Sequence, residues 1–286
     1  MRNAWIRHLQ GLAERDERIF LVVGDLGFSV VEDFAAAYPE RFLNAGVAEQ
    51  NMVSVAAGLA REGYSVFVYS IGNFVTLRCL EQIRNDVCLH RLPVCLVAVG
   101  GGFMYGALGP THHLTEDIAV MRAMPGMRVY VPFCARSAEV ALDEVLSEAL
   151  PAYIRLGREG VPVGEVAGNG VTAVRRVASG VAGTAVLNVG ALHAQVVEFA
   201  EKNRADLYAL CRLKPLPAEE LEEVLGSYRR IVVVEDHQRW GGAYGAVCEA
   251  FGGSGRVESV AVEGFVLEGG REEDLRRRFL RGAGRA

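Results

Sequence analysis

"FLNAGVAEQNMVSVAAGLA", residues 42–60, decides how the chain is read. An apolar strand end runs through Gly46 straight into an apolar helix predicted over 48–61, and a single carboxylate, Glu49, stands at the junction. The same strand-to-helix pattern recurs on both sides. Upstream lie a helix over 2–15, with Trp5, Leu9 and Leu12 on one face, and the buried strand "RIFLVVGDL" (18–26). Downstream come the strand "YSVFVYS" (64–70), a long helix over 74–90, the strand "LPVCLVAVG" (92–100), a loop over 100–115 and a helix over 116–123. The strand "MRVYVP" (127–132), a helix over 136–149 and the strand "PAYIRLG" (151–157) follow. Strands alternating with helices predict right-handed crossovers and a parallel sheet covered on both faces.

The stretch 158–171, "REGVPVGEVAGNGV", has no helical period and reads as a linker. A second alternation follows it. Its strands are "TAVLNVG" (184–190), "ADLYAL" (205–210), "RRIVVVED" (229–236) and 257–261, and its helices cover 191–203, 217–226, 241–251 and 271–282. The fold class is therefore α/β with two doubly wound domains, 1–158 and 172–286, joined by a linker at 159–171. A length of 286 residues suits two such domains.

Composition excludes several function classes. A formal charge of −5 without a Lys/Arg run of five argues against a nucleic-acid groove. The N-terminal segment has no apolar signal core, so a cytoplasmic protein is expected. The six cysteines form no C-x-x-C and read as reduced, buried thiols. "PVCLVAVGGGFMYGALGP" (93–110) is nearly long enough for a membrane span, but its three consecutive glycines make it a strand and a turning loop.

In open parallel sheets ligands bind outside the C-terminal strand ends. That rule selects 24–29, 44–51, 69–74, 100–115, 156–158 and 235–242. Glu49 is the first candidate. It lies in the first turn of its helix, where the dipole favours a carboxylate, and the helix reads as apolar on nearly every face. A buried carboxylate needs a partner or a proton, and no Lys or Arg occurs between Arg41 and Arg61, so the partner is non-local or a ligand. In "GGGFMYGALGPTHHLTED" (100–117), the glycines allow close approach to a ligand, Thr115 reads as a helix N-cap, and one of His112 and His113 faces a pocket. Adjacent histidines rarely reach one ion, so no metal site is expected. Arg155 and Arg158 suit either a phosphate or a salt bridge, and Glu235-Asp236-His237 either catalysis or a domain-interface network.

Taken together, "AGVAEQNM", "GPTHH…ED" and "RLGR" resemble the C-terminal half of the transketolase family of thiamine-diphosphate enzymes, over nearly the whole chain. "FVTLRCLEQIRNDV" (74–87) is similar to the family's next helix, with one residue more than many relatives, and "VVVEDHQRWGGAYGAV" (232–247) resembles the signature of its last domain. The resemblance implies a pyrimidine-binding domain and a transketolase C-terminal-like domain. It also implies one half of a split enzyme, since the diphosphate domain and its GDG…NN motif are absent from the sequence. The implied partner is an N-terminal, diphosphate-binding subunit in an α2β2 assembly that carries the Mg2+ ligands. Self-association is implied too, with the C-terminal domain supplying assembly contacts and no catalytic residue after Arg158.

By the same resemblance, Glu49 binds N1′ of the aminopyrimidine and favours the imino form that removes the C2 proton. Phe74, or less well Tyr69, stacks on the pyrimidine. Asp25 lies near the thiazolium, His112 faces the substrate's reacting oxygens, and Arg158, helped by Ser29, binds a sugar phosphate. The implied reaction moves a two-carbon ketol unit from a ketose to an aldehyde. The alternatives are the beta subunit of a 2-oxo-acid dehydrogenase's decarboxylating component, a deoxyxylulose-phosphate-synthase-like enzyme, or a non-catalytic assembly subunit. Two positions depart from the family pattern. Leu108 and Gly100 stand where relatives place an Asp and a His that read sugar hydroxyls, so a less hydroxylated substrate is expected.

Overall fold

Uninterrupted apolar runs become strands buried on both faces. β1 (Ile19–Val23), β4 (Val94–Val99) and β6 (Ala152–Leu156) expose no residue in this computed structural model. The structure describes residues 1–158, 160–164, 170–175, 183–253 and 255–282. The middle of the expected linker, 165–169, therefore lies outside the described residues, while Val161 hydrogen-bonds the Leu192 carbonyl of the second half at 2.8 Å.

Elements of the first half are α1 (Arg2–Ala13), β1, α2 (Glu32–Ala37), β2 (Phe42–Asn44), α3 (Glu49–Arg61), β3 (Ser65–Ile71), α4 (Gly72–Val75), α5 (Leu80–Gln82), β4, α6 (Asp117–Ala123), β5 (Arg128–Tyr130), α7 (Ala135–Glu148) and β6. The second half contains β7 (Val171–Arg175), β8 (Thr184–Val189), α8 (Ala194–Lys202), β9 (Asp206–Leu210), β10 (Arg212–Lys214), α9 (Ala218–Leu225), β11 (Arg230–Gln238), α10 (Ala243–Ala250), β12 (Val257–Val262) and α11 (Glu272–Gly282).

The strands form two sheets, ordered β10-β5-β6-β4-β3-β1-β2 and β12-β11-β8-β9-β7. All ladders are parallel except β10 on β5 and β7 on β9. β7, β10 and the short α2 have no counterpart in the sequence expectation. β10 comes from the second half yet extends the first sheet, so the halves interlock. Two apolar layers reinforce this, each drawing on both halves: one joins Trp5, Leu9 and Phe67 to Leu207 and Val232, the other Met52, Val68 and Ile83 to Leu187 and Val233.

The predicted helix over 74–90 is broken. Between α4 and α5 lies a 3-10 turn, Leu77–Cys79, and after α5 a π-helical stretch, Ile83–Cys88. A π turn widens the helix by one residue per turn, the usual way to absorb an extra residue. Thr115 is not an N-cap; α6 starts after Glu116, and the Thr115 hydroxyl accepts from Gln238 across the two halves at 3.3 Å. All six cysteines are free, four of them buried. Among the described residues no helix is long and apolar enough to cross a membrane.

Candidate active site

The C-terminal ends of β1, β2, β3, β4 and β6 lie along one edge of the larger sheet, as parallel pairing requires. After β2 the chain turns through Gly46, at φ 71°, and enters α3 with Glu49 as its first residue. The next turn of α3 plants Met52 and Val53 in the core and draws Glu49 down to 3% exposure. α3 is not apolar all round, however. Gln50, Asn51, Ser54, Gly58 and Arg61 form an exposed stripe that continues from Val47, which is 76% exposed. The spacing i, i+3, i+4 makes this an ordinary amphipathic face.

Glu49 finds a non-local partner. Arg78 Nη1 donates to Glu49 Oε2 at 2.6 Å, and the guanidinium carbon lies 4.4 Å from the centroid of the Phe74 ring. The Phe74 ring meets His112 edge to face at 5.6 Å. Asn73 Nδ2 donates to the carbonyls of Thr111 and His113, each at 3.0 Å, and so ties the backbone on both sides of His112 to the start of α4. His112 Nδ1 is 3.0 Å from the Thr111 hydroxyl, while His113 turns inward, with Nδ1 3.1 Å from the Val266 carbonyl. Cys79 donates to the Phe74 carbonyl at 3.1 Å, and burial pushes its thiol up to about 12, which keeps it protonated. Glu49, Phe74 and His112 therefore come together.

The other expected site residues are dispersed. Tyr69 is 1% exposed and stacked 6.0 Å from Trp5, in the apolar layer on the face of the sheet opposite α3, because alternate strand residues point to opposite faces. It cannot stack on a ligand beside Glu49. Asp25, at φ 51°, is exposed at the end of β1, where its N–H donates to Asn44 Oδ1 at 3.0 Å. Ser29, at φ 61°, donates its N–H to Glu32 at 2.7 Å. Arg158 is 64% exposed, and its Nε pairs with Glu272 at 3.1 Å.

Arg78 and Asn73 were not among the expected residues. Their signal was proximity to Phe74: Arg78 follows it by four residues, and a search for Glu49's partner limited to 41–61 stops short of it. Among the described residues, no group of three His, Cys, Asp or Glu side chains is placed to hold a metal ion.

Glu235-Asp236-His237 is an inter-half network. Glu235 accepts from the N–H groups of Ala243 and Tyr244 at 2.6 and 2.9 Å, and burial raises its carboxyl. His237 lies between the Gln238 carbonyl, 2.7 Å from Nδ1, and the Ala119 N–H, which donates to Nε2 at 3.2 Å. Arg155, 3% exposed, bonds Asp117 at 2.8 Å and Asp236 at 2.9 Å. Burial alone would raise Asp236, but Arg155 and Arg276 outweigh it and hold the carboxyl well below the usual range. Gly102, at φ 61°, passes so close that a Cβ there would run into the Asp236 carboxylate.

Nearby, burial and then the charge of Arg276 push His193 down to about 3. An unfolded histidine titrates near 6.5, so between these values the unfolded chain holds more protons. Stability is accordingly expected to fall as pH drops from about 6.5 toward 3, and Asp236 acts in the same direction below about 4. The ring carbons of His193, followed by NMR, should report a neutral imidazole down to about pH 4. A midpoint near 6.5 would contradict this.

Residues 1–163 match the family described as "Transketolase, pyrimidine binding domain". The chain belongs to the transketolase family. One of the two subunits of the apulose-4-phosphate transketolase of Phocaeicola vulgatus is 33% identical over 256 residues, 87% of this chain and 82% of that protein. A 1-deoxy-D-xylulose-5-phosphate synthase of Nitratidesulfovibrio vulgaris is 30% identical over 280 residues, 93% of this chain but 43% of its own length. Among solved structures, a split gene transketolase described as an inactive beta4 tetramer superposes with a TM-score of 0.83 at 30% identity, covering 97% of this chain and 92% of that one. This transketolase-family chain thus corresponds to the C-terminal subunit of a split transketolase-like enzyme, in a family of thiamine-diphosphate-dependent transferases.

Proposed function

We propose that the chain is the pyrimidine-binding subunit of a two-chain enzyme that moves a two-carbon ketol unit from a ketose to an aldehyde. The observation that carries this is Glu49, a carboxylate 3% exposed at a helix start, beside an aromatic ring and a histidine. These residues fit the aminopyrimidine end of thiamine diphosphate. Bound, the cofactor supplies the carbon nucleophile for ketol transfer. Glu49 holds the proton at N1′, Phe74 offers a ring face, and His112 holds or donates a proton at the substrate's reacting oxygen. Arg78 already occupies Glu49 Oε2, so the cofactor must compete for that oxygen.

The diphosphate and its Mg2+ are assigned to a partner subunit, in an α2β2 assembly. The absence from this sequence of a GDG…NN motif supports that assignment. So does the match, over most of both chains, to a Phocaeicola vulgatus protein that is itself a transketolase subunit. Arg158 reaches a substrate phosphate only by leaving Glu272, whose carboxylate keeps Arg276 at 3.0 Å, so the exchange costs little. Leu108, 59% exposed on the loop before His112, offers no acceptor to a sugar hydroxyl and favours a less hydroxylated substrate.

Calorimetric titration of thiamine diphosphate into this chain, into the partner and into their mixture tests the reading. Tight binding is expected only in the mixture. Equal binding to the partner alone, or turnover by either chain alone, would overturn the split. Pyruvate consumption with carbon dioxide release would favour the synthase-like reaction instead.

A further inference from the structure

Arg78 makes, at the same time, the two contacts that the proposed function reserves for the aminopyrimidine. Its guanidinium lies 4.4 Å over the Phe74 ring and donates to Glu49 at 2.6 Å. Like the pyrimidine, it is a flat group with in-plane donors, able to stack and to bond a carboxylate together. Two such groups cannot share one ring face and one oxygen. We propose that Arg78 is an internal occupant of the cofactor slot, displaced when thiamine diphosphate binds; this rests on the functional reading above.

The pair is built asymmetrically. Glu49 is 3% exposed and fixed by its helix, whereas the Arg78 side chain is 43% exposed. Among the described residues, Glu49 is the hydrogen-bonding partner shown for Arg78. Arg78 sits on a single 3-10 turn, Leu77–Cys79, so a change of side-chain rotamer alone carries the guanidinium toward solvent. A buried carboxylate stripped of its partner is costly, so the slot favours exchange over vacancy: Arg78 leaves as the ligand arrives. The chain before loading thereby keeps Glu49 neutralised. The ligand's apparent affinity is reduced by the fraction of molecules in which Arg78 has moved away.

The test is the thiamine diphosphate concentration that half-activates the assembled two-chain enzyme, for wild type and Arg78→Ala. An out state populated at 10% or less gives a gain in apparent affinity of about tenfold or more when the occupant is removed. An unchanged or weaker affinity in a folded, assembled Arg78→Ala enzyme would overturn the proposal, because Arg78 would then be a support for Glu49 that stays in place. If Arg78→Ala fails to assemble, Arg78→Lys is read in the same way. It keeps a cation but loses the flat face, and a gain of about threefold is expected, against none or a loss if the proposal is wrong. Glu49→Ala in the same assay separates the two readings. Full cofactor activation without Glu49 would defeat the functional reading itself, whereas loss of activation in Glu49→Ala with no gain in Arg78→Ala would defeat the displacement alone.

Discussion

In the assembled enzyme, Glu49→Ala is expected to slow C2 proton exchange of bound thiamine diphosphate by about 10² or more, with ketol transfer falling in parallel. The size of the effect follows from placement. A carboxyl 3% exposed cannot be replaced by water, and at the start of α3 it has no acidic neighbour in the first turn to take over. Fold stability should change far less. The lost pair with Arg78 has a partner 43% exposed, and pairs that open to solvent contribute about 0–1 kcal/mol. The variant thus separates chemistry from folding: proton exchange measured by NMR should collapse while the thermal midpoint scarcely moves. Exchange at the wild-type rate in Glu49→Ala would remove this carboxylate from the mechanism.

The second large effect is structural. Arg155→Met should destabilise the chain by about 3–5 kcal/mol, as expected when one partner is stripped from a buried ionic cluster. Asp117, fully buried, would keep only the Tyr153 hydroxyl at 2.5 Å, and its Oδ1 already lacks a partner among the described residues. Asp236 would keep Arg276 at 3.1 Å. Arg155 also donates to the Leu114 carbonyl at 2.7 Å, so its loss frees the loop that carries His112. The thermal midpoint should drop by roughly 10 °C, with chemical denaturation as a check. Arg155→Lys should recover only part of the loss, because an ammonium cannot span both carboxylates as the guanidinium does. A shift of a degree or two in Arg155→Met would mean that the two halves are held by apolar packing alone.

Where the sequence was legible, a repeating physical pattern made it so. Apolar runs of five to seven residues bounded by glycine can only be strands covered on both sides, and β1, β3, β4, β6, β8 and β11 are found where such runs occur. β10 was missed because "RLK" is three residues long and owes its pairing to β5, a distant segment. The break in the helix over 74–90 was missed because helical periodicity does not register a one-residue widening.

The site was legible in part for the same reason. Glu49, Phe74 and His112 lie at strand ends that the alternation alone brings to one edge, so their meeting follows from connectivity. Tyr69 was misplaced by a parity that only register resolves: one step along β3 separates the face of Trp5 from the face of α3.

Three features could be read from residue order: the alternation of strands and helices, the edge at which ligands meet the sheet, and a lone acid at the head of an apolar helix. All of these depend on neighbours within a few residues. Three others emerged only in the folded chain: what that acid touches, which of two adjacent histidines turns inward, and that Arg155 and β10 lock the halves together. Those outcomes depend on side chains and strands 29 to 82 residues apart, whose pairing is set by packing in three dimensions and leaves no period in the chain.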